Sequence, residues 1–278
     1  MAPAALAAAA PATPQPLRIL WRDARVVAVY KPAGWLVHRS ALDAHETRWV
    51  VQTLRDQIGQ PVYPVHRLDK GTCGVLLLAL DADAARQLGQ AFMEGRIHKR
   101  YLALVRGWPE WDAQPHRIDH PLRPDDAPPT AAAQPASTVL HRRATLAWPE
   151  AFDARFADTR IALVQAQPLT GRRHQIRRHL KHAAHPIIGD ATHGKGPLNR
   201  WWAERLGLQQ LWLHAWSIGF AHPEDGRPIE VHSGLTLEGS TPEGEAHRAC
   251  THDWRRLMAL PWQHEAQRRD KPEPRRGQ

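Results

Sequence analysis

VHRLDKGTCGVLLLAL, residues Val65 to Leu80, passes from a charged entrance into an unbroken apolar run. Such a run without polar alternation reads as a strand buried on both faces. At its mouth one carboxylate, Asp69, stands between two cations, Arg67 and Lys70. That arrangement is either a salt-bridged surface loop or an acid placed for chemistry, and the surrounding sequence has to decide between them.

Composition narrows the choice of partner. The 278 residues carry 37 Lys and Arg against 28 Asp and Glu, a formal charge of +9. This excess favours a polyanion, nucleic acid before an anionic membrane. Only Cys73 and Cys250 are present, so neither a disulfide framework nor a four-cysteine zinc site is available, and such sparse use suits a reducing compartment. No apolar run approaches membrane-spanning length. The Ala/Pro-rich start, MAPAALAAAAPATPQP, has neither the basic region of a secretory signal nor the arginines of a transit peptide.

Working outward, RILW and RVVAVY flank a three-residue turn at Arg22–Ala24 and predict a hairpin. Val50, Val51, Leu54 and Ile58 recur at helical intervals within a helix predicted from Glu46 and stopped by Gly59. After the opening stretch, Asp81 or Asp83 is set to cap a helix with Ala84, Leu88, Ala91 and Phe92 on one face and Gly95 at its end. Strands are predicted around Tyr101–Arg106, Thr138–Leu146, Arg160–Gln167 and Leu211–Phe220, with a Pro/Ala-rich loop from Leu122 to Ser137. A short helix is predicted at Asp253–Leu260, ahead of a charged tail. Residues 1–16 read as a disordered leader, 17–240 as one domain, and 241–278 as an extension with a largely disordered tail. Strands outnumber helices and several are sequence neighbours, which points to a mixed α+β sheet. No glycine-rich phosphate loop links a strand to a helix.

TGRRHQIRRHLKHAAHPIIGD, running from Thr170 to Asp190, predicts a basic helix over Arg172–Ala184. Ile176, Leu180, Ala183 and Ala184 would face the core, and Arg173 and Arg177, one turn apart beside that stripe, could send a guanidinium into a cleft. Arg172, Arg178 and Lys181 remain for phosphates. His179, His182 and His185 share a spacing seen in metal sites, but no accompanying glutamate motif or cysteine pair supports a metal, and none is expected. Tyr101 reads as a strand aromatic or as a ring stacked on an unstacked base, and Trp201–Trp202 as an exposed stacking candidate. A glycosidase would need a second carboxylate, for which Asp190 is available.

HRLDKGTCGVLLLAL resembles the catalytic motif of the RluA-type pseudouridine synthases. KRYLALVRG is similar to their tyrosine motif, LTGRRHQIRRHLKHAAHPIIGD to their arginine motif, and LWLHAWSIGFAHP to a late strand. The four blocks occur in the family's order. The resemblance implies a mainly antiparallel α+β sheet with flanking helices and a central catalytic cleft. It implies isomerisation of uridine to pseudouridine without a cofactor; with the sparse cysteines and the lack of a membrane-length run, a cytoplasmic monomer with RNA as its partner, and no protein partner or membrane, is expected.

By the same resemblance Asp69 is the catalytic carboxylate, Arg177 its ion-pair partner, Tyr101 the residue that stacks on uracil and helps to remove its C5 proton, and Arg67 the one filling the vacated base stack. His66, Lys70, Arg172, Arg173 and Arg178 are expected to contact RNA. KPAGWLVHRS and GDATHGKGPLNR are most similar to the branch acting on tRNA at position 65; ribosomal RNA and non-catalytic RNA binding are the alternatives. Cys73 departs from the serine that is usual there.

Overall fold

The β-branched runs near the start of the sequence pair as expected: β1 (Arg18–Arg22) lies antiparallel to β2 (Val26–Lys31). In the computed structural model, which describes residues 16–39, 46–111, 115–125, 127, 128, 130–236 and 252–264, this hairpin forms one edge of a mixed sheet. β2 pairs with β4 (Cys73–Ala79), the strand of the opening stretch, whose seven residues are all buried. β4 lies parallel to β9 (Leu213–Ala221), through Cys73 beside His214 and Gly74 beside Ala215. The sheet continues antiparallel through β5 (His98–Arg106), β8 (Thr159–Pro168), β7 (Ser137–Trp148) and β11 (Gln263–His264). Short strands β3 (Tyr63–Pro64), β6 (His116–Asp119) and β10 (Pro228–His232) pair with β4, β7 and β9. The mainly antiparallel α+β reading therefore holds.

Gly74 permits the parallel junction. Its φ is +112°, and a Cβ there would stand 2.1 Å from the Ala215 carbonyl oxygen, so only a residue without a side chain lets β4 and β9 approach.

The helices follow the periodicity with shorter bounds. α1 (Val50–Ile58) buries Val50 and Leu54 and ends at Gly59 in the left-handed region. α2 (Ala82–Met93) starts where Asp81 accepts the Ala84 N–H at 2.8 Å. α3 (Gln175–His182) buries Ile176 and Leu180 as the spacing predicts. It does not reach Arg172 or Ala184: His174 takes φ 54° before it and Ala184 φ 63° after it, and Ala184 is exposed, not part of the core.

α4 (Gly196–Leu206) has no counterpart among the predicted elements, because its Gly-Pro opening imitates a loop while proline is in fact tolerated in a first helical turn. Its Trp202 is fully buried, with its ring edge-on to Trp148, and Trp201 lies beneath the Arg205 guanidinium at 3.7 Å. The tryptophan pair is therefore packing, not an exposed platform.

The ordered unit extends past residue 240. α5 (His252–Met258) and the segment that leads from it into β11 send Trp254, Leu257 and Trp262 into the main core, each large buried side chain contributing about 1.5–3 kcal/mol. The leader reading, the stretch before α5 and the charged tail fall on residues 1–15, 237–251 and 265–278, outside the described residues. Among the described residues no helix is long and apolar enough to cross a membrane.

Candidate active site

Asp69 sits in the loop between β3 and β4, four residues before the strand, in a turn closed by the Thr72 N–H donating to the Asp69 carbonyl at 3.0 Å. The end of β2 clamps this turn. The buried Lys31 ammonium donates to the carbonyls of Pro32 (3.0 Å) and Lys70 (3.1 Å), and the Gly34 N–H donates to the same Lys70 carbonyl at 2.8 Å. Burial pulls the Lys31 pKa down to about 7, with the Asp69 charge opposing that fall.

α3 brings Arg177 to the same place. The helix is fastened to β7 by polar side chains that its periodicity leaves buried. Gln175 donates to the Ser137 carbonyl and the Thr138 hydroxyl, both at 2.9 Å, and its own oxygen accepts the Arg172 N–H at 3.0 Å. With the helix held there, Arg177 Nη1 donates to Asp69 Oδ2 at 3.1 Å. Its other two nitrogens fork onto Asp190: Nε to Oδ2 at 2.7 Å and Nη2 to Oδ1 at 2.8 Å.

Asp190 is 1% exposed and also accepts the N–H groups of Thr192 and His193, so burial raises its pKa but the Arg177 bond and these N–H groups outweigh that and lower it. One guanidinium thus joins two carboxylates, one sealed and one facing the cleft. A sealed Asp190 cannot flank a sugar, which removes it as the second carboxylate of a glycosidase.

Tyr101, on β5, lines the cleft with Asp69 and Arg177, and burial together with the Asp69 charge raises its pKa, keeping the phenol protonated at neutral pH. The cleft has a volume of about 650 Å³. The three residues singled out from distant parts of the sequence therefore share one site.

The surrounding residues divide. Arg67 is exposed at the cleft wall. His66 also lines it, but its Nε2 accepts the Leu77 N–H at 3.0 Å, its ring stacks on Phe92, and burial lowers its pKa to about 3. It is a neutral part of the wall. Lys70 pairs with Glu46. Arg172 donates to the Pro135 carbonyl at 3.1 Å, Arg173 stands 3.8 Å from Asp125, and Arg178 donates to the Arg123 carbonyl at 2.6 Å and lies 3.2 Å from Asp125. These three arginines hold the Pro/Ala-rich loop against the start of α3. Cys73 is buried with its Sγ 3.3 Å from His214 Nδ1, and burial pushes its thiol pKa up to about 11, so it packs as a thiol.

The histidine series of α3 and its end does not converge. His179 contacts Thr138 and the His120 carbonyl, His182 stacks on His120, and His185 contacts the Arg106 carbonyl. Asp125, His174 and His193 do place ligand-type atoms within 4.8 Å of one another. The Asp125 carboxylate there is already met by Arg173, Arg178 and His174, the last at 2.7 Å, so the group reads as a charge network. Sequence reasoning misses three members of the site: His174, with Nε2 3.8 Å from Asp69 Oδ2, the clamp Lys31, and the sealed role of Asp190. Nothing in their spacing distinguishes them from ordinary polar residues.

The family model for RNA pseudouridylate synthase matches residues 25–182. The chain is 45% identical over 226 residues to tRNA pseudouridine synthase C of Vibrio cholerae, covering 79% of this chain and 91% of that protein. It is 47% identical over 233 residues to the protein of the same name from Salmonella typhimurium, covering 79% and 85%. Among solved structures, human RNA pseudouridylate synthase domain containing 1 matches with a TM-score of 0.62 and 25% identity over 82% of this chain and 87% of that one. A cleft gathering Asp69, Tyr101 and Arg177, a family model matched over more than half of the sequence and relatives this similar over most of their length lead to one conclusion: the chain belongs to the RNA pseudouridylate synthase family, enzymes that isomerise uridine in RNA.

Proposed function

We propose that the protein converts a uridine of tRNA, of the position-65 type, to pseudouridine, with Asp69 as the essential carboxylate. The observation that carries this reading is the meeting of Asp69, Arg177 and Tyr101 in one cleft. The names of the relatives from Vibrio cholerae and Salmonella typhimurium support tRNA as the substrate. In the reaction the bond from N1 to the ribose carbon breaks and C5 becomes bonded to that carbon. N1 gains a proton and C5 loses one, so no donor or electron is consumed.

Asp69 acts as an anion, by attack on the sugar, addition to the ring or abstraction of a sugar proton, and the Arg177 guanidinium favours that charged form. Tyr101 stacks on the uracil; a phenol that stays protonated suits stacking better than removal of the C5 proton as a phenolate. Extruding the uridine costs about a few kcal/mol, and Arg67, exposed at the wall, occupies the vacated stack. The enzyme works as a cytoplasmic monomer.

Pseudouridine mapping of total RNA with and without the protein tests this. A single tRNA site that disappears with the protein is the expected result. A lost ribosomal site instead assigns the activity to ribosomal RNA, and no lost site overturns the enzymatic reading.

A further inference from the structure

Two lysines stand near the site with their ammonium groups largely withdrawn from water, and they differ in one respect. Lys31 donates to two carbonyls at 3.0 and 3.1 Å and does not line the cleft. Lys99 lines it, and among the described residues has one hydrogen bond, a long one of 3.5 Å to the Thr170 carbonyl, and no ion pair. An ammonium offers three donors, so most of this capacity is unused.

The position is defined by the strand. Lys99 precedes Tyr101 by two residues on β5, and both side chains line the cleft. The ammonium lies against the Thr170–Gly171 turn, another part of the cleft lining. A Cβ on Gly171 would stand 3.9 Å from Nζ, so the glycine leaves that side of the ammonium uncovered.

Burial lowers the Lys99 pKa, and among the described residues no anion counteracts it. A cation withdrawn from water without a partner is costly until a ligand supplies the opposite charge. The uracil ring is neutral, whereas each nucleotide brings one phosphate anion, and a charge-assisted bond to it offsets the desolvation. Arg172 and Arg178 are already engaged with carbonyls of the Pro/Ala-rich loop.

We propose that Lys99 binds a backbone phosphate adjoining the target uridine, seating the strand beside Thr170–Gly171 while Tyr101 holds the base. This rests on the reading of the protein as an RNA uridine isomerase. Lys99 is thereby a substrate-positioning residue whose effect falls on RNA binding.

The test uses the full chain and a stem–loop carrying the mapped uridine, with binding followed by fluorescence anisotropy. Single neutral methylphosphonates replace the phosphates on either side of that uridine in turn. One of them is expected to weaken wild-type binding about tenfold and to leave Lys99→Met unaffected. Lys99→Met is expected to bind the unmodified RNA about tenfold more weakly, with a log–log salt slope shallower by about one unit. No weakening of the wild type by either methylphosphonate overturns the proposal, and this arm does not depend on how the variant folds. Equal weakening of wild type and variant overturns it as well. Pseudouridine formed by the wild type on the unmodified RNA is measured alongside: its absence overturns the enzymatic reading, whereas its presence with a flat methylphosphonate response overturns only the phosphate contact.

Discussion

The Arg177 guanidinium stands 3.1 Å from the Asp69 carboxylate, although 108 residues separate the two in the chain. It can do so in a fixed orientation because its other edge is forked onto Asp190. A planar guanidinium held on one edge by a sealed carboxylate presents its remaining nitrogen in one direction. Asp69 meets that nitrogen at the cleft surface, where its charge is both supported and accessible.

Replacing Asp69 by Asn keeps the size of the side chain and removes the anion. Turnover, read as tritium released from C5-labelled uridine in RNA, is expected to fall by about a thousandfold or more. RNA affinity is expected to stay near that of the wild type. Normal turnover in this variant would sink the role assigned to Asp69.

Asp190→Asn leaves the buried Arg177 edge without its counter-charge, a loss of about 3–5 kcal/mol for a sealed pair. Both the urea midpoint and kcat should drop. The folded-state pKa of Asp190 lies below its ordinary value of 3.8, so its stabilisation is complete above that value and is lost as pH falls through the lowered one. The gap in urea midpoints between wild type and variant should therefore close on acidification below 3.8. A gap that stays constant or widens there would contradict this.

Arg67→Ala should slow reaction on a stem more than on an unpaired oligonucleotide carrying the same uridine. Only the stem demands the few kcal/mol of extrusion, about tenfold in rate for each 1.4 kcal/mol left unsupplied. Comparison of kcat/KM on the two substrates decides it, and equal losses would count against a role in base extrusion.

Two glycines should respond in opposite directions. Gly74→Ala drives a methyl group into the Ala215 carbonyl at a positive φ and is expected to cost more than about 2 kcal/mol. Gly89, inside α2, has nothing within 4 Å of the point an added methyl group would occupy, and Gly89→Ala should stabilise by about 0.5–1 kcal/mol. Urea unfolding of both variants measures the difference.

Most of the scaffold was legible from short-range pattern. The hairpin β1–β2, the buried strand after Asp69, the Asp81 cap and the Ile176–Leu180 stripe each depend on residues close in the chain, so periodicity and turn chemistry sufficed. α4 was not legible, because a Gly-Pro start suppresses the helical signal that Trp202 and its packing then restore. The shared site of Asp69, Tyr101 and Arg177 was expected from motif resemblance, since spacing alone left several chemistries open for the carboxylate.

By itself the sequence determined most of the elements and the basic charge, and its motif resemblance singled out an acid, an arginine and a tyrosine as candidates. Only the tertiary structure decided that Asp190 is sealed behind Arg177, that His66 is a neutral wall, that Arg172 and Arg178 hold a loop, and that Lys99 faces the cleft without an ion pair among the described residues. The reason is physical. Periodicity records which side of an element is apolar, whereas charge pairing depends on the register with which β4, β9, β5 and β8 bring remote segments within a few ångströms.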